Sequence, residues 1–385
     1  MFAPFVHEGF SPAATSVRPP LASRFTLDGS DDLEQQLTDI CQFVQKKIRQ
    51  IVPASQLEGL LLGGGYGRGE GGVLKTKTGD RAYNDLEFYV FVRGHNWVNE
   101  WRFGKLLHGL SENLSPQAGV EVEFKIISAA KLRRSPPSMF YYDLVMGHRQ
   151  LWGSENLLAG CDHLRHGGAI PLSEATRLMM NRCSGLLFAQ EKLAGKNFTP
   201  EDADFVGRNL AKAQLGFGDA VLTALGQYHW SCLERYDRLR NPALAKNFRW
   251  FSDVRRHHQT GIKFKLHPHC SPPDRDLLQK QFEELAALGS QVWLWLESKR
   301  LGRKFVSQND YALCSLNKCP ETQPWRNWLM NAKISRARIF FQRAAFRHPR
   351  ERLLNRLALL LWERRATFAG EPAVDNYRKL WRQLN

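Results

Sequence analysis

The sequence predicts an α+β protein: a mixed β-sheet flanked by helices, followed by an all-helical region. Three apolar or alternating runs, "LEGLLLG", "NDLEFYVFV" and "GVEVEFKIIS", are interleaved with helical patterns in the first third of the chain. After "MFYYDLVMGHRQLWG", long stripes of helical period follow one another, and no strand of comparable quality appears. With 385 residues the chain favours more than one domain, and the change of texture puts the main boundary near residue 160.

The elements follow in order. Residues 1–30 carry Pro4, Pro12, Pro19 and Pro20 with little periodicity, and are expected to form an extended leader. From Asp31 an amphipathic helix places Leu33, Leu37, Ile40, Val44 and Ile48 on one stripe behind two acids. "LEGLLLG" is a short strand that ends in glycines. The run 84–92 is a strand, 96–114 a helix and 119–128 a strand, which makes 31–160 the mixed-sheet unit. Helices are expected over 173–193, 201–228 and 274–301, with two or three more in an arginine-rich tail. The helical unit is thus 161–385, with a possible subdivision near 241–273.

Composition limits the function classes. The hydrophobic share of 43% and charged share of 24% are those of a globular protein, and the net charge of +16 favours polyanionic partners such as nucleotides or nucleic acid. Pro4, His7 and Glu8 interrupt any apolar start, so a signal peptide is not expected. No stretch has the length and apolarity of a spanning helix. Seven scattered cysteines read as reduced thiols, and a cytoplasmic setting without membrane attachment is expected.

The most informative stretch is "GGGYGRGEGG", residues 63–72. Such density of glycine marks a tight turn or a close approach to the main chain. "GRGEGG" formally fits the dinucleotide-binding G-x-G-x-x-G. That pattern must open an amphipathic helix, however, and "VLKTKTGDRAY" has no apolar stripe. Its acid belongs at the carboxyl end of the next strand, whereas Asp85 and Glu87 stand at the start of theirs. A Walker-type loop is excluded because no Gly-Lys-Ser/Thr follows.

The acids suggest a different chemistry. In a strand, residues two apart share a face, so Asp85 and Glu87 project together while Leu86, Phe88, Val90 and Val92 face the other way. Adjacent carboxylates repel unless a cation lies between them, and hard oxygen donors suit Mg²⁺ carrying phosphates. Glu121 or Glu123 on a neighbouring strand would supply a third acid for a two-metal site. The plainer reading makes all of these the solvent sides of half-buried strands.

"GGGYGRGE" followed by "YNDLEFYVF" resembles the nucleotidyltransferase superfamily with the DNA polymerase β-like fold, and the local motif is similar to that of bacterial protein-PII uridylyltransferases. The resemblance covers about residues 57–153. It implies transfer of an NMP from an NTP, ATP or UTP foremost, to an acceptor hydroxyl with release of pyrophosphate. It also implies that Gly64 and Gly65 form the turn that meets the triphosphate and that Arg68 contacts phosphate. Asp85 and Glu87 would bind two Mg²⁺ (or Mn²⁺) ions, with Glu123 as third acid and Glu121 as its alternative. The short helix and strand in "DLVMGHRQLWG" fit the same fold. The chain departs from the pattern in having Gly65 where many members carry serine, a basic insertion with Lys75, Lys77 and Arg81, a glutamate as third acid, and no His-Asp dipeptide of a phosphohydrolase domain. Its alternative function is a catalytically inactive nucleotide- or RNA-binding protein on the same fold. The acceptor is left open among protein, RNA and small molecule.

Further features carry two readings each. Arg208, Lys212 and Asp219 share a stripe of one helix, either as a cleft wall touching nucleotide or as an internal ion pair. Arg182 suggests the same role. "HPHC" (267–270) with Cys314 and Cys319 has spacing at the edge of zinc sites, although separate thiols are simpler. "FRWFSDVRRHHQTGIKFKLH" (248–267) interleaves aromatic and basic residues, suited to stacking bases or to snorkelling around a core. The tail carries Arg336, Arg338, Arg343, Arg347, Arg350 and Arg352, which either hold an acidic partner or solvate the helices.

Overall fold

The computed structural model describes residues 24–245, 249–335, 343–363 and 371–384. The chain begins with helix α1 (Asp31–Ile51), whose first turn is capped by the Ser30 hydroxyl and whose apolar stripe of Leu33, Leu37, Val44 and Ile48 is buried. Strand β1 (Leu57–Leu62) follows, and the glycines then form a short helix α2 (Gly64–Arg68). A hairpin of β2 (Val73–Thr76) and β3 (Gly79–Ala82) leads to β4 (Leu86–Val92), α3 (Asn96–Ala118) and β5 (Val122–Ile127). Two short helices, α4 (Ala129–Leu132) and α5 (Met139–Met146), precede the last strand, β6 (Arg149–Gly153).

The main sheet has the order β5-β4-β1-β6, with β4 and β5 parallel and the other pairs antiparallel, so the sheet is mixed. Alternation assigns its two faces. Leu60, Leu62, Leu86, Phe88, Val90 and Val92 pack under α1 and α3, while Leu61, Tyr89 and Phe91 pack with α4, α5 and Leu157 on the reverse. Both faces are covered, which explains why β4 is apolar at nearly every position after Glu87.

The helical region comprises α6 (Leu172–Ala194), α7 (Pro200–Ala224), α8 (Cys232–Leu239), α9 (Pro242–Ala245), α10 (Phe251–Leu266), α11 (Arg275–Leu301), α12 (Gln308–Leu313), α13 (Pro324–Ser335), α14 (Arg350–Trp362) and α15 (Glu371–Leu384). One apolar cluster joins α6, α7, α10, α11, α14 and α15 through Met179, Leu186, Phe217, Phe251, Trp293, Leu357 and Tyr377. The interval 241–273, expected to divide the helices, instead contributes α10 to this core. Among the described residues no helix is long and apolar enough to cross a membrane.

Some expectations require correction. The hairpin β2–β3 was not anticipated because only Val73 and Ala82 are buried along it. Its pairing comes from the backbone and from a turn that ends at Gly79, at φ 119°. Residues 1–23 of the expected leader lie outside the described residues; its last part is tied down by Phe25, which is buried, and by a bridge between Thr26 and Gly71.

The glycine segment is shaped mainly by packing. A Cβ on Gly67 would lie 2.2 Å from the carbonyl oxygen of Leu62, so only glycine lets α2 fold back against β1. Fully buried Tyr66 holds the loop after it: its hydroxyl donates to the Gly72 carbonyl at 2.8 Å and accepts from the Tyr83 N–H at 2.9 Å. Tyr66→Phe leaves both backbone groups without that partner. It should cost about 1–3 kcal/mol in urea unfolding with an unchanged slope, and a midpoint equal to wild type would refute the role of the hydroxyl.

Candidate functional site

Strand pairing brings the glycine turn to the acids. Because β1 and β4 are antiparallel, Leu62 at the end of β1 lies across from Phe88 near the start of β4, and the Gly63 N–H donates to the Glu87 carbonyl at 2.9 Å. Because β4 and β5 are parallel and in register, Glu87 lies across from Glu123 and Tyr89 from Lys125. The Leu86 N–H donates to the Glu121 carbonyl at 2.8 Å, which extends the register to Asp85 and Glu121 just before the strands. The period of two then sends Asp85, Glu87, Glu121 and Glu123 to one face.

Three of these carboxylates converge. Asp85, Glu121 and Glu123 each offer an oxygen, and these atoms lie within 4.8 Å of one another; among the described residues no other group of three His, Cys, Asp or Glu does so. Burial raises the Asp85 pKa, and the charges of Glu121, Glu123 and Glu87 raise it further. A hard divalent cation fits this all-carboxylate donor set and would relieve its repulsion. The converging group differs from the expected ligand set in two respects. Glu121 and Glu123 enter together, not as alternatives. Glu87 stands outside the group: its carboxylate accepts from the Tyr89 hydroxyl and lies 3.7 Å from the Lys125 ammonium.

Asp85 and Glu87 line a cleft of about 490 Å³ between the sheet region and the helices, and Glu121 and Glu123 are not part of its lining. One wall is Gly64, Gly65, Asn84, Asp85 and Glu87, and the other is Arg182 of α6, Arg208 and Lys212 of α7, and Phe264 and Lys265 of α10. Burial lowers the Lys212 pKa, and the neighbouring Arg182 and Arg208 lower it further. Arg208 pairs with Asp204 at 3.0 Å, whereas the described residues offer Arg182 and Lys212 no ion-pair partner, and the Arg182 Nε is buried without a hydrogen bond. Cations held this way favour an anion between them. Tyr83 and Phe264 meet edge to face in the same cleft, 6.2 Å between centroids.

Arg68, expected at a phosphate, has a partner within the protein. It borders the cleft, but its guanidinium pairs with Asp143 of α5 at 3.1 Å and is largely buried, so it is committed within the protein. Asp143 also accepts from the Tyr228 hydroxyl at 3.1 Å, and Arg235 donates to that hydroxyl at 3.1 Å. Arg235 in turn pairs with Asp219 at 2.7 Å, and His258, fully buried, stands 3.0 Å from the same carboxylate. Asp219 therefore belongs to an internal ion pair, separate from its stripe neighbours Arg208 and Lys212.

Sequence reasoning missed the role of Glu70. Its buried carboxylate accepts from Ser231 and from the Cys232 N–H at 3.0 Å, and so caps the start of α8. Lys265 lies 4.0 Å away. Burial alone would raise its pKa, but Lys265, Arg68 and the two hydrogen bonds bring it down to about 2. The only signal in the sequence was an acid in a glycine loop far from any helix start of its own.

Zinc binding by "HPHC" with Cys314 and Cys319 is not supported. Among the described residues these histidines and cysteines form no group of three close enough to share an ion, and His267 faces Asp28 at 3.6 Å. The aromatic–basic stretch divides between both readings: Phe251, Val254 and His258 are buried, while Phe264 and Lys265 reach the cleft. In the tail, Arg336, Arg338 and the side chain of Arg343 lie outside the described residues. Arg347 pairs with Glu351 at 2.6 Å, Arg352 bonds Asn331, and burial lowers the Arg350 pKa, so these three are built into the helices. No family model matches the chain, and no curated protein matches it.

Glu70 gives the stability of the fold a pH signature. A carboxylate with a depressed pKa stabilises the fold above its unfolded pKa near 4.5, and this contribution is lost as the pH falls from there through about 2. Glu70→Gln should lower stability at pH 7 by on the order of 2–3 kcal/mol and lose less further stability than wild type between pH 5 and 2. Denaturant midpoints measured across that range test this, and parallel pH profiles would count against it.

Proposed function

We propose that the protein is a metal-dependent nucleotidyltransferase that moves an NMP from an NTP, ATP or UTP foremost, to an acceptor hydroxyl. The observation that carries this reading is the cleft, where Asp85, Glu87 and the glycine turn face the cations Arg182, Arg208 and Lys212, with Glu121 and Glu123 converging on Asp85 beside it. Mg²⁺ or Mn²⁺ bound by the three acids would neutralise the charge that develops around the α-phosphate. In the reaction the acceptor oxygen forms a bond to the α-phosphorus, the bond from that phosphorus to the β-bridging oxygen breaks, and the electron pair leaves on pyrophosphate.

The chain's own residues act by positioning and charge. Lys212, Arg182 and Arg208 bind the polyphosphate and hold the departing pyrophosphate. Gly64 and Gly65 line the cleft without side chains, so the phosphates approach the backbone there. Tyr83 and Phe264 supply apolar surface for a nucleobase. The acidic face next to Asp85 receives the proton from the acceptor hydroxyl. The acceptor is a protein, an RNA end or a small hydroxylated molecule.

The alternative, a nucleotide- or RNA-binding protein without turnover on the same fold, is favoured by one observation. The Lys125 ammonium stands 2.8 Å from Glu123, so a fixed cation already occupies part of the acidic face.

Incubation of the protein with Mg²⁺, each α-labelled NTP in turn and cell extract tests turnover. Wild type should transfer label, and Asp85→Ala should reduce transfer by about 10²-fold or more. Lys212→Ala should raise KM for the NTP more than it lowers kcat. Equal transfer by Asp85→Ala would overturn the mechanism; saturable nucleotide binding without any transfer would favour the alternative.

A further inference from the structure

We infer that Lys125 takes the place of one of the two cations expected on this acidic face, so that the site holds a single divalent ion. This rests on the nucleotidyltransferase reading and specifies how its charge is balanced. The parallel register stacks three like-facing pairs along β4 and β5: Asp85 beside Glu121, Glu87 beside Glu123, and Tyr89 beside Lys125. Lys125 is thus built into the same ladder as the acids, two residues from Glu123 and on its face.

The contacts divide the four carboxylates into two functions. Asp85, Glu121 and Glu123 have oxygens close enough to share one ion. Glu87 is held from two sides by donors of the protein, the Tyr89 hydroxyl and the Lys125 ammonium. That ammonium lies 2.8 Å from Glu123 and 3.7 Å from Glu87, and 5.8 Å from the centroid of the Tyr89 ring. It bridges the two glutamates as a second ion would, and its charge repels a divalent ion brought to the same space. A separate observation across the cleft supports the economy: Arg182, with its buried unpartnered Nε, and Lys212 already provide positive charge for an anionic ligand.

Manganese provides the test, with Mn²⁺ alone titrated into the full chain and the free ion followed by electron paramagnetic resonance. Wild type should bind one ion per chain. Glu121→Gln should weaken that ion about tenfold or more, while Glu87→Gln should change its affinity by less than about threefold. Lys125→Met should admit a second ion, and adding Glu87→Gln to it should remove that ion again. Two ions in wild type, a single ion in a folded Lys125→Met, or a tenfold loss in Glu87→Gln would each overturn the inference while leaving the transferase reading intact. The absence of saturable Mn²⁺ binding in wild type, both alone and with an added NTP, would overturn both. Because the wild-type count decides by itself, the test does not depend on any variant folding.

Discussion

Four carboxylates fixed side by side on one face of a parallel strand pair are the constraint around which this molecule is arranged. The register of β4 and β5 leaves no freedom to separate them, since Glu87 must lie across from Glu123 and Asp85 beside Glu121. Like charges held this way are unfavourable unless positive charge is near. The protein answers from three directions: Lys125 within the ladder, Lys212 across the cleft, and the glycine turn, which brings no side-chain charge of its own to the acids' edge.

The helical region places its cations across the cleft from Asp85 and Glu87. A cation wall is useful only if it is held at a fixed distance from the acids, and buried polar contacts fix it. Arg68 reaches from the glycine segment to Asp143, Tyr228 joins Asp143 to Arg235, and Arg235 reaches Asp219 on α7, the helix that carries Arg208 and Lys212. Glu70 adds a second tie by capping α8. A strongly basic composition is therefore only partly a matter of partners, because several of its arginines are consumed in joining the two regions.

Much of the sheet was legible because its signals are local. Alternation in 84–92 grouped Leu86, Phe88, Val90 and Val92 on one buried face, without showing that Tyr89 and Phe91 are buried on the other, and the stripe of α1 gave its burial. The meeting of acids, glycines and Lys212 in one cleft follows the residues that the sequence singled out. What was not legible depends on partners distant in the chain. Nothing near Arg68 announces Asp143, so an arginine beside a glycine turn looked like a phosphate contact, and nothing near Glu70 announces Ser231, so its role went unread. The exclusion of Glu87 has a nearer cause: Tyr89 and Lys125 follow the two acidic motifs by two residues, but their effect requires the strand register, which alternation alone does not supply.

The bond between Arg68 and Asp143 belongs to a network that crosses the change of texture near residue 160, where sequence alone would divide the chain. Asp143 precedes that point, and Tyr228, Arg235 and Asp219 follow it, yet all belong to one buried network. Severing the chain there would strip Arg68 and Asp143 of Tyr228 and Arg235, and would leave Glu70 uncapped by α8. The two regions differ in architecture but share buried polar contacts, through Tyr228 with Asp143 and Cys232 with Glu70.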